Sequence, residues 1–301
     1  MSVSLDSPEQ LPDAFRSTGM RSRALRTLRR DPGALIGASV ITLLIVVALA
    51  APLIAPYPDQ GRGETDVPAR DLAPSWDHLF GTDHLGRDIL SRVMFGGRPA
   101  IGVALAVVAV AVLIGVPLGM VAGYRGGWLD EALMRITDLF LAFPPLLLAM
   151  VISATLGASL LHAGIALAIS WWPWYARLAR AVTQSLKHEP FIDAARVFGV
   201  REPVILARHV FRNATTPILV QATIDAGTVI LAVGALAFIG LSAQPPSPDW
   251  GLMVQDGRTA VVTEWWISTF PGLAILSVVI GCNLLGDGLR SVFDPRMRVA
   301  S

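Results

Sequence analysis

The groups able to do chemistry in this 301-residue chain are few and scattered. Its single lysine, Lys187, follows Ser185-Leu186 and precedes His188-Glu189, with no glycine loop before it. A phosphate-cradling loop needs glycines whose backbone amides, together with a following Lys and a Ser or Thr, neutralise the phosphates. The chain is therefore not expected to hydrolyse ATP or to act as an enzyme. Five histidines, His78, His84, His162, His188 and His209, fall in loops and at segment ends without metal-ligand spacing. His78 and His84, flanked by Asp77 and Asp83, are expected to be structural loop residues, and no metal site is expected. Cys282 is alone, so it forms no internal disulfide, and in a late apolar run it reads as a small buried hydrophobe. What remains is three carboxylates inside apolar runs, Asp138, Asp225 and Asp287, a residue type that marks ion or solute pathways when placed in a membrane. Arg135 and Arg290 sit at i, i+3 from the first and last and are expected to pair with them. Asp225 has no obvious local partner and is the pathway candidate.

The elements that must position these groups are membrane spans. With a mean hydropathy of +0.57, 53% hydrophobic residues and 16% charged, the chain has too little polar surface to cover a soluble globule of its size. Leu35 to Pro56 holds no charge and reaches roughly 33 Å as a helix, enough for the hydrocarbon core. Ile101 to Tyr124 is equally uncharged, and further spans are expected at Leu133 to Leu156, His162 to Tyr175, Pro217 to Leu241 and Phe270 to Leu289. The expected architecture is thus an all-α membrane protein with six transmembrane helices. Its divisions are a basic segment 1–33, a first span 34–56, an external segment 57–99, a core 100–290 with internal loop 187–213 and external loop 242–269, and a tail 291–301.

Orientation follows from the basic residues, because cytoplasmic segments near span ends keep an excess of Lys and Arg. Most of the 24 basic residues fall on one side if both termini are cytoplasmic: Arg16 to Arg30, Arg125, Arg135, the group from Arg177 to Arg212, and Arg290 to Arg298. On the opposite side Arg62, Arg70, Arg87, Arg92, Arg98 and Arg258 are outnumbered by acids between Asp59 and Asp88 and between Asp249 and Glu264. A cleaved signal at Ala48-Leu49-Ala50 is disfavoured by the long basic region and by the five spans that follow. Trp171, Trp172 and Trp174, and Trp265 with Trp266, read as interface belts. Pro117, Pro144, Pro145 and Pro173 are expected to kink spans. In the external segment, the stripe Ile89, Leu90, Val93 and Met94 predicts a short amphipathic helix lying on the outer surface.

The internal loop carries the strongest functional signal. Glu189-Pro190-Phe191-Ile192-Asp193-Ala194-Ala195-Arg196-Val197-Phe198-Gly199 resembles the EAA loop of binding-protein-dependent ABC importer permeases, and Arg208-His209-Val210-Phe211-Arg212-Asn213 is similar to the ending that follows it. Gly81-Thr82-Asp83 with Leu85-Gly86-Arg87-Asp88, Gly240-Leu241 with Gln244-Pro245-Pro246 and Trp250-Gly251, and Asn283 to Arg290 with Asp294-Pro295-Arg296 narrow the resemblance to dipeptide/oligopeptide permeases of the DppC/OppC type. Asp193 stands where such loops carry glutamate, Arg212 where they carry proline, and Val233-Gly234 where a Glu-Ala pair is common. The Arg212 difference implies a less constrained turn after the coupling helix, and Val233-Gly234 implies altered lining or packing of the fifth span.

The resemblance implies a type I importer (MetI-like) fold and an inner or plasma membrane location. It implies a second homologous permease in a heterodimer, two ATP-binding subunits that carry ATP and Mg, and an extracytoplasmic substrate-binding protein. No cofactor belongs to this chain, and no nucleic acid is involved. The solutes it implies are dipeptides, oligopeptides, glutathione, nickel chelates or haem. Glu189, Phe191, Asp193, Ala194, Ala195, Arg196, Gly199 and Arg201 would couple to an ATP-binding subunit. Gly81, Asp83, Gly86, Arg87, Asp88, Pro245, Pro246 and Trp250 would dock the binding protein. On residue types alone, small Ala194, Ala195 and Gly199 permit close approach of a partner, and Phe191, Val197 and Phe198 need one to cover them. The alternative, a proton-driven secondary transporter, calls for a titrating pair in the membrane and an inverted repeat, neither of which is evident. A channel is disfavoured by the coupling-type loop, and a membrane enzyme by the absence of clustered catalytic groups.

Overall fold

The computed structural model describes residues 31–293; the arginine-rich segment 1–30 and the tail 294–301 lie outside the described residues. The long elements are α1 (Pro32–Ile54), α2 (Ile89–Arg125), α3 (Gly127–Leu141), α4 (Pro145–Leu156), α5 (Leu160–Leu186), α6 (Pro190–Val197), α7 (Phe211–Phe238), α8 (Trp250–Asp256) and α9 (Trp266–Phe293). Among the described residues, four runs are long and apolar enough to cross a membrane: α1, α2, Glu202–Phe238 and α9. Counting α3 and α4 as one span bent by 80° makes five. The bend falls at Pro144-Pro145, because a proline disfavours helical geometry in the residue before it and lacks the amide that would continue the ladder.

The remaining expected span, His162 to Tyr175, lies on α5, whose 27 residues reach about 40 Å. Its lower apolarity has a packing reason. Ala163, Ala166, Leu167, Trp172, Tyr175, Ala176, Ala179 and Thr183 are all buried, so much of α5 meets protein and not lipid. Gly115, Gly119 and Gly123 form a stripe at four-residue spacing on α2, and a Cβ on any of them would run into the backbone of Trp172, Ala176 or Arg180 on α5. The two helices thus run parallel in backbone contact, the small-residue packing that membrane helices use where no hydrophobic effect drives them together. Antiparallel α1 and α9 approach in the same way at Gly37 beside Gly281 and at Gly288 beside Ala34.

Two expectations about local structure change. The stripe Ile89, Leu90, Val93 and Met94 does not form a separate surface helix: it opens the 37-residue α2, which continues unbroken into the second span. Ile89, Ser91 and Arg92 are buried there. Arg92 is neutralised by Asp83, and Arg98 donates to the Ala48 and Leu49 carbonyls at 2.7 and 2.5 Å near the end of α1, so the charges that interrupt the apolar run need not face lipid. After α6, Arg212 does not loosen a turn. Ile205–Val210 forms a π-helical stretch that feeds directly into α7, since a non-proline residue keeps its amide in the ladder.

The Val233-Gly234 difference is a packing feature. Gly251 of α8 lies so close to Gly234 of α7 that its added Cβ would fall 2.6 Å from the Gly234 Cα. The bundle therefore has two differentiated ends. One is a cap built from residues 57–88 and 240–265; the other carries α6 and the ends of α2 and α5.

Candidate functional site

At the end opposite the cap, α6 projects from the bundle. Glu189 precedes Pro190 at the first helical position, where a proline's fixed φ is already suitable and its missing amide costs nothing. The helix stops at Phe198, and Gly199 follows with φ +72, a left-handed conformation that side chains with a Cβ resist. The Val200 amide then bonds back to the Ala195 carbonyl at 3.0 Å, closing the helix end. Ile192 and Ala195 are buried and anchor α6 to its own chain. Phe191, Val197 and Phe198 face outward, the last two 85% and 84% exposed.

Ala195 therefore belongs to the anchor and not to the partner-facing side, where Ala194 and Gly199 remain exposed. Arg196 ties α6 down from its rim: it pairs with Asp193 at 3.0 Å, donates to the Tyr124 hydroxyl at 3.1 Å and stacks over the Tyr124 ring. Glu189 and Arg201 are exposed beside it. Arg125 of α2 grips Glu202 at 2.7 Å, fixing the return strand of the loop. A cavity of about 730 Å³ lies beside α6, lined by Phe191, Ala207, Arg208, His209, Arg212 and Asn213.

At the cap, the residues expected to dock a partner turn out to build the platform. Gly81, Asp83, Gly86, Arg87, Asp88 and Trp250 are buried; Pro245 and Pro246 are exposed. Asp83 is the hub. Its carboxylate accepts from the Leu85 and Arg87 amides at 2.9 and 3.0 Å, from Arg87 Nε at 2.7 Å and from Arg92 Nη1 at 2.6 Å. Buried charges require such complete pairing, which takes Asp83 and Arg87 out of any contact surface. Asp88 caps α2 by accepting from the Ser91 amide at 2.8 Å and holds His78 at 2.9 Å. Gly86, at φ +74, lets the loop press against the Asp66 backbone.

Trp250 donates to the Val93 carbonyl and Trp266 to the Thr82 carbonyl, so the indoles close the cap instead of marking a lipid interface. Exposed on the cap, besides Pro245 and Pro246, are Trp76 at 95% and Val262 at 94%.

Residues not singled out by sequence reasoning complete the cap. Arg92 and Asp256 extend the Asp83 and Arg87 network, Asp256 lying 3.7 Å from Arg87. Burial pushes the Asp256 carboxyl up, against the pull of Arg92 and Arg87. The apolar neighbours of Arg92 on α2, Ile89 and Phe95, were the available signal that it points inward. Asp71, His84 and Glu264 converge from three segments. Burial alone would lower the His84 pKa, but the bond to Asp71, followed by the Asp256 carbonyl and Glu264, leaves it above the ordinary value.

The carboxylates in the spans also differ from expectation. Asp138 pairs with Arg177 of α5 at 2.6 Å, while Arg135 turns to Glu131, because α3 packs its acidic face toward α5. Among the described residues, Asp287 makes no ion pair with Arg290 and is exposed. Asp225 accepts from Gln221 at 3.0 Å and is buried within the chain; its Oδ2 and the Tyr175 hydroxyl of α5 are buried without a completed hydrogen bond.

α6 is thus anchored by Ile192 and Ala195, with an apolar tip, at the far end of a bent-helix bundle from the cap. Residues 115–299 match the family model described as the inner membrane component of binding-protein-dependent transport systems, and residues 19–74 match the N-terminal transmembrane domain of oligopeptide transport permease C. The chain belongs to this permease family. The permease is 41% identical over 286 residues to a dipeptide transport system permease protein of Alkalihalophilus pseudofirmus, covering 95% of this chain and 93% of the relative. It is also 41% identical to a probable D,D-dipeptide permease of Escherichia coli K12, with 89% of each chain covered. A glutathione transport permease of E. coli O6:K15:H31 matches at 41% over 91% of this chain and 89% of its own.

Among solved structures, the inward-facing MetNI methionine ABC transporter superposes with a TM-score of 0.53 at 17% identity, covering 67% of this chain and 96% of the other, which places the fold with the type I importers. The permease is thus a multi-pass membrane subunit of an ATP-driven importer, not an enzyme, and ATPase subunits and a substrate-binding protein are its working partners.

Proposed function

We propose that this permease forms half of a transmembrane path with a second, homologous permease and passes peptide-like solutes, from dipeptides to glutathione, into the cytoplasm. The solute class rests on the names of its relatives. Both termini and α6 lie on the cytoplasmic side in this reading, supported by the basic residues near α6 and by the acid-rich cap at the other end. The carrying observation is α6 itself, with Phe191, Val197 and Phe198 exposed above a rim of Glu189, Asp193, Arg196 and Arg201. Such an apolar tip with a charged border suits a groove on an ATP-binding subunit, the tip supplying affinity and the border register.

When two ATPase subunits close on ATP, α6 moves with them as a rigid body. The Arg125 to Glu202 and Arg196 to Tyr124 contacts carry that movement to α2, and the π-helical stretch carries it to α7. The binding protein docks on the outer cap at Trp76, Val262, Pro245 and Pro246, over the platform that Asp83, Arg87 and Trp250 hold rigid. Charge reversal at Asp193 and Arg196 together tests the docking. Transport should be lost while ATP binding by the complex is kept, and unchanged transport would refute it.

A further inference from the structure

Three donor groups in the cap face one another with no donated proton to spare among them. His84 directs Nε2 at the Asp256 backbone carbonyl, 3.3 Å away, and a carbonyl can only accept. A neutral ring making that bond carries its proton on Nε2 and presents a bare lone pair at Nδ1. Nδ1 in turn faces two further acceptors, Asp71 Oδ1 at 2.7 Å and Glu264 Oε2 at 3.5 Å. Among the described residues, His84 is the only ion-pair partner of either carboxylate, whereas Asp83 and Asp256 take the nearby arginines. A proton on Nδ1 serves Asp71 but leaves the Asp256 carbonyl without a donor, and a proton on Nε2 does the reverse, so a protonated imidazole or a cation held between Nδ1 and the carboxylates satisfies every contact.

We propose that Asp71, His84 and Glu264 form an extracytoplasmic zinc site that ties the 57–88 loop to the segment leading into α9. The three ligand atoms lie within 4.8 Å of one another. Donors held about 2.0–2.2 Å from one zinc ion stand roughly 3–4 Å apart; the 3.5 Å between Nδ1 and Glu264 already fits, and Asp71 would draw back from its 2.7 Å contact to admit the ion. The Asp256 carbonyl supplies what a ligating imidazole uses to fix its tautomer, an acceptor for the opposite ring nitrogen. Two carboxylates and a neutral imidazole balance the charge of a divalent ion, and one imidazole with carboxylates favours zinc or a similar borderline metal over calcium or magnesium. His84 and Asp71 are partly open to solvent, which gives the ion an entry route and a water as fourth ligand. Asp71 and His84 come from two turns of the 57–88 loop and Glu264 from the approach to α9, so the ion would brace the cap from outside as the Asp83 network braces it from within.

The experiment uses the full-length chain in its importer complex, purified without a polyhistidine tag, reconstituted in nanodiscs and stripped with a chelator. Zinc chloride is titrated calorimetrically at pH 7.5 into the wild type and into His84→Gln, Asp71→Asn and Glu264→Gln. The expected result is one zinc per copy of this chain, a thermal midpoint raised by zinc but not by magnesium, and affinity weakened at least tenfold in each variant. X-ray absorption of the zinc-loaded wild type, which needs no variant to fold, should show nitrogen and oxygen neighbours and no sulfur. Absence of zinc binding in the wild type would overturn the site and leave His84 as a protonated clamp, with the midpoint following pH alone. Zinc bound equally well by His84→Gln, or a sulfur neighbour, would overturn it by placing the ion elsewhere.

Discussion

Arg92 Nη1 lies 2.6 Å from Asp83 Oδ2, and neither side chain is more than 5% exposed. Arg92 also reaches the Ser247 carbonyl at 3.2 Å, so one guanidinium joins the loop before α2 to the segment before α8. Removing one member of a buried pair leaves the other charged and unpaired, which costs about 3–5 kcal/mol, whereas replacing both by apolar groups is close to neutral. Asp83→Ala is expected to lower the thermal midpoint of the purified permease sharply, and adding Arg92→Met to recover part of the loss, since Arg87 and the Leu85 and Arg87 amides still lack their acceptor. A double variant no better than the single one would show that the pair does more than neutralise charge.

Helix packing gives a second expectation. A Cβ at Gly119 would clash with the Ala176 carbonyl of α5, while one at Gly102 of the same helix meets nothing within 4 Å. Gly119→Ala should therefore cost about 1–3 kcal/mol through overpacking, and Gly102→Ala should be neutral or slightly stabilising by helix propensity. Thermal unfolding in detergent of the two variants side by side checks this, and equal midpoints would mean that α2 and α5 can separate without loss.

Much of this fold was legible because lipid makes a simple demand. Apolar runs of sufficient length marked α1, α2, α7 and α9, the last two despite Asp225 and Asp287, and Pro144-Pro145 marked the bend between α3 and α4. Legibility failed where tertiary contacts cancel a charge. Arg92 and Arg98 made the start of α2 look like a surface helix, but Asp83 and the carbonyls at the end of α1 neutralise them. The coupling segment was readable as a motif, yet its inward face was not, since only the packed chain shows Ile192 and Ala195 turned toward the bundle. The cap was the least legible part. Motif residues such as Asp83 and Arg87 suggested contact with a partner, whereas their pairing across a loop buries them, and the convergence of Asp71, His84 and Glu264 spans nearly two hundred positions.

The cap should also carry a pH signature. Burial raises the Asp249 carboxyl above the usual carboxylate range, more than the Leu252 and Gly251 amides lower it. A carboxyl whose folded pKa is raised holds its proton more tightly when folded, so its stabilising contribution is fully present below the unfolded value and is lost as pH rises through the folded value. Asp249 also caps α8 through the Leu252 amide at 3.0 Å, a bond that Asn can keep. Asp249→Asn should match or exceed the wild type at pH 7 and flatten the fall in midpoint above pH 4, while Asp249→Ala should flatten it equally and lie about 1 kcal/mol below Asn at every pH. An Asn variant whose midpoint falls with pH as steeply as the wild type's would contradict the burial effect.

The tip of α6 separates folding from coupling. Phe198 is 84% exposed and Ile192, two turns earlier, is fully buried, so the two residues test opposite faces of one helix. Phe198→Glu should leave the stability of the isolated permease within about 0.5 kcal/mol, as exposed substitutions do. In the assembled importer it would place a charge where an apolar anchor is proposed to enter a groove, and loss of such an anchor costs about 2 kcal/mol or more, roughly thirtyfold in association. Ile192→Ala should do the reverse in order: it first destabilises the chain by about 2–5 kcal/mol through a cavity, and coupling fails as a consequence of a loosened α6. Measuring thermal midpoint, retention of ATP-binding subunits and ATP-dependent uptake on both variants distinguishes the two faces. Uptake unchanged in Phe198→Glu would mean that the exposed tip is not what the ATP-binding subunit holds.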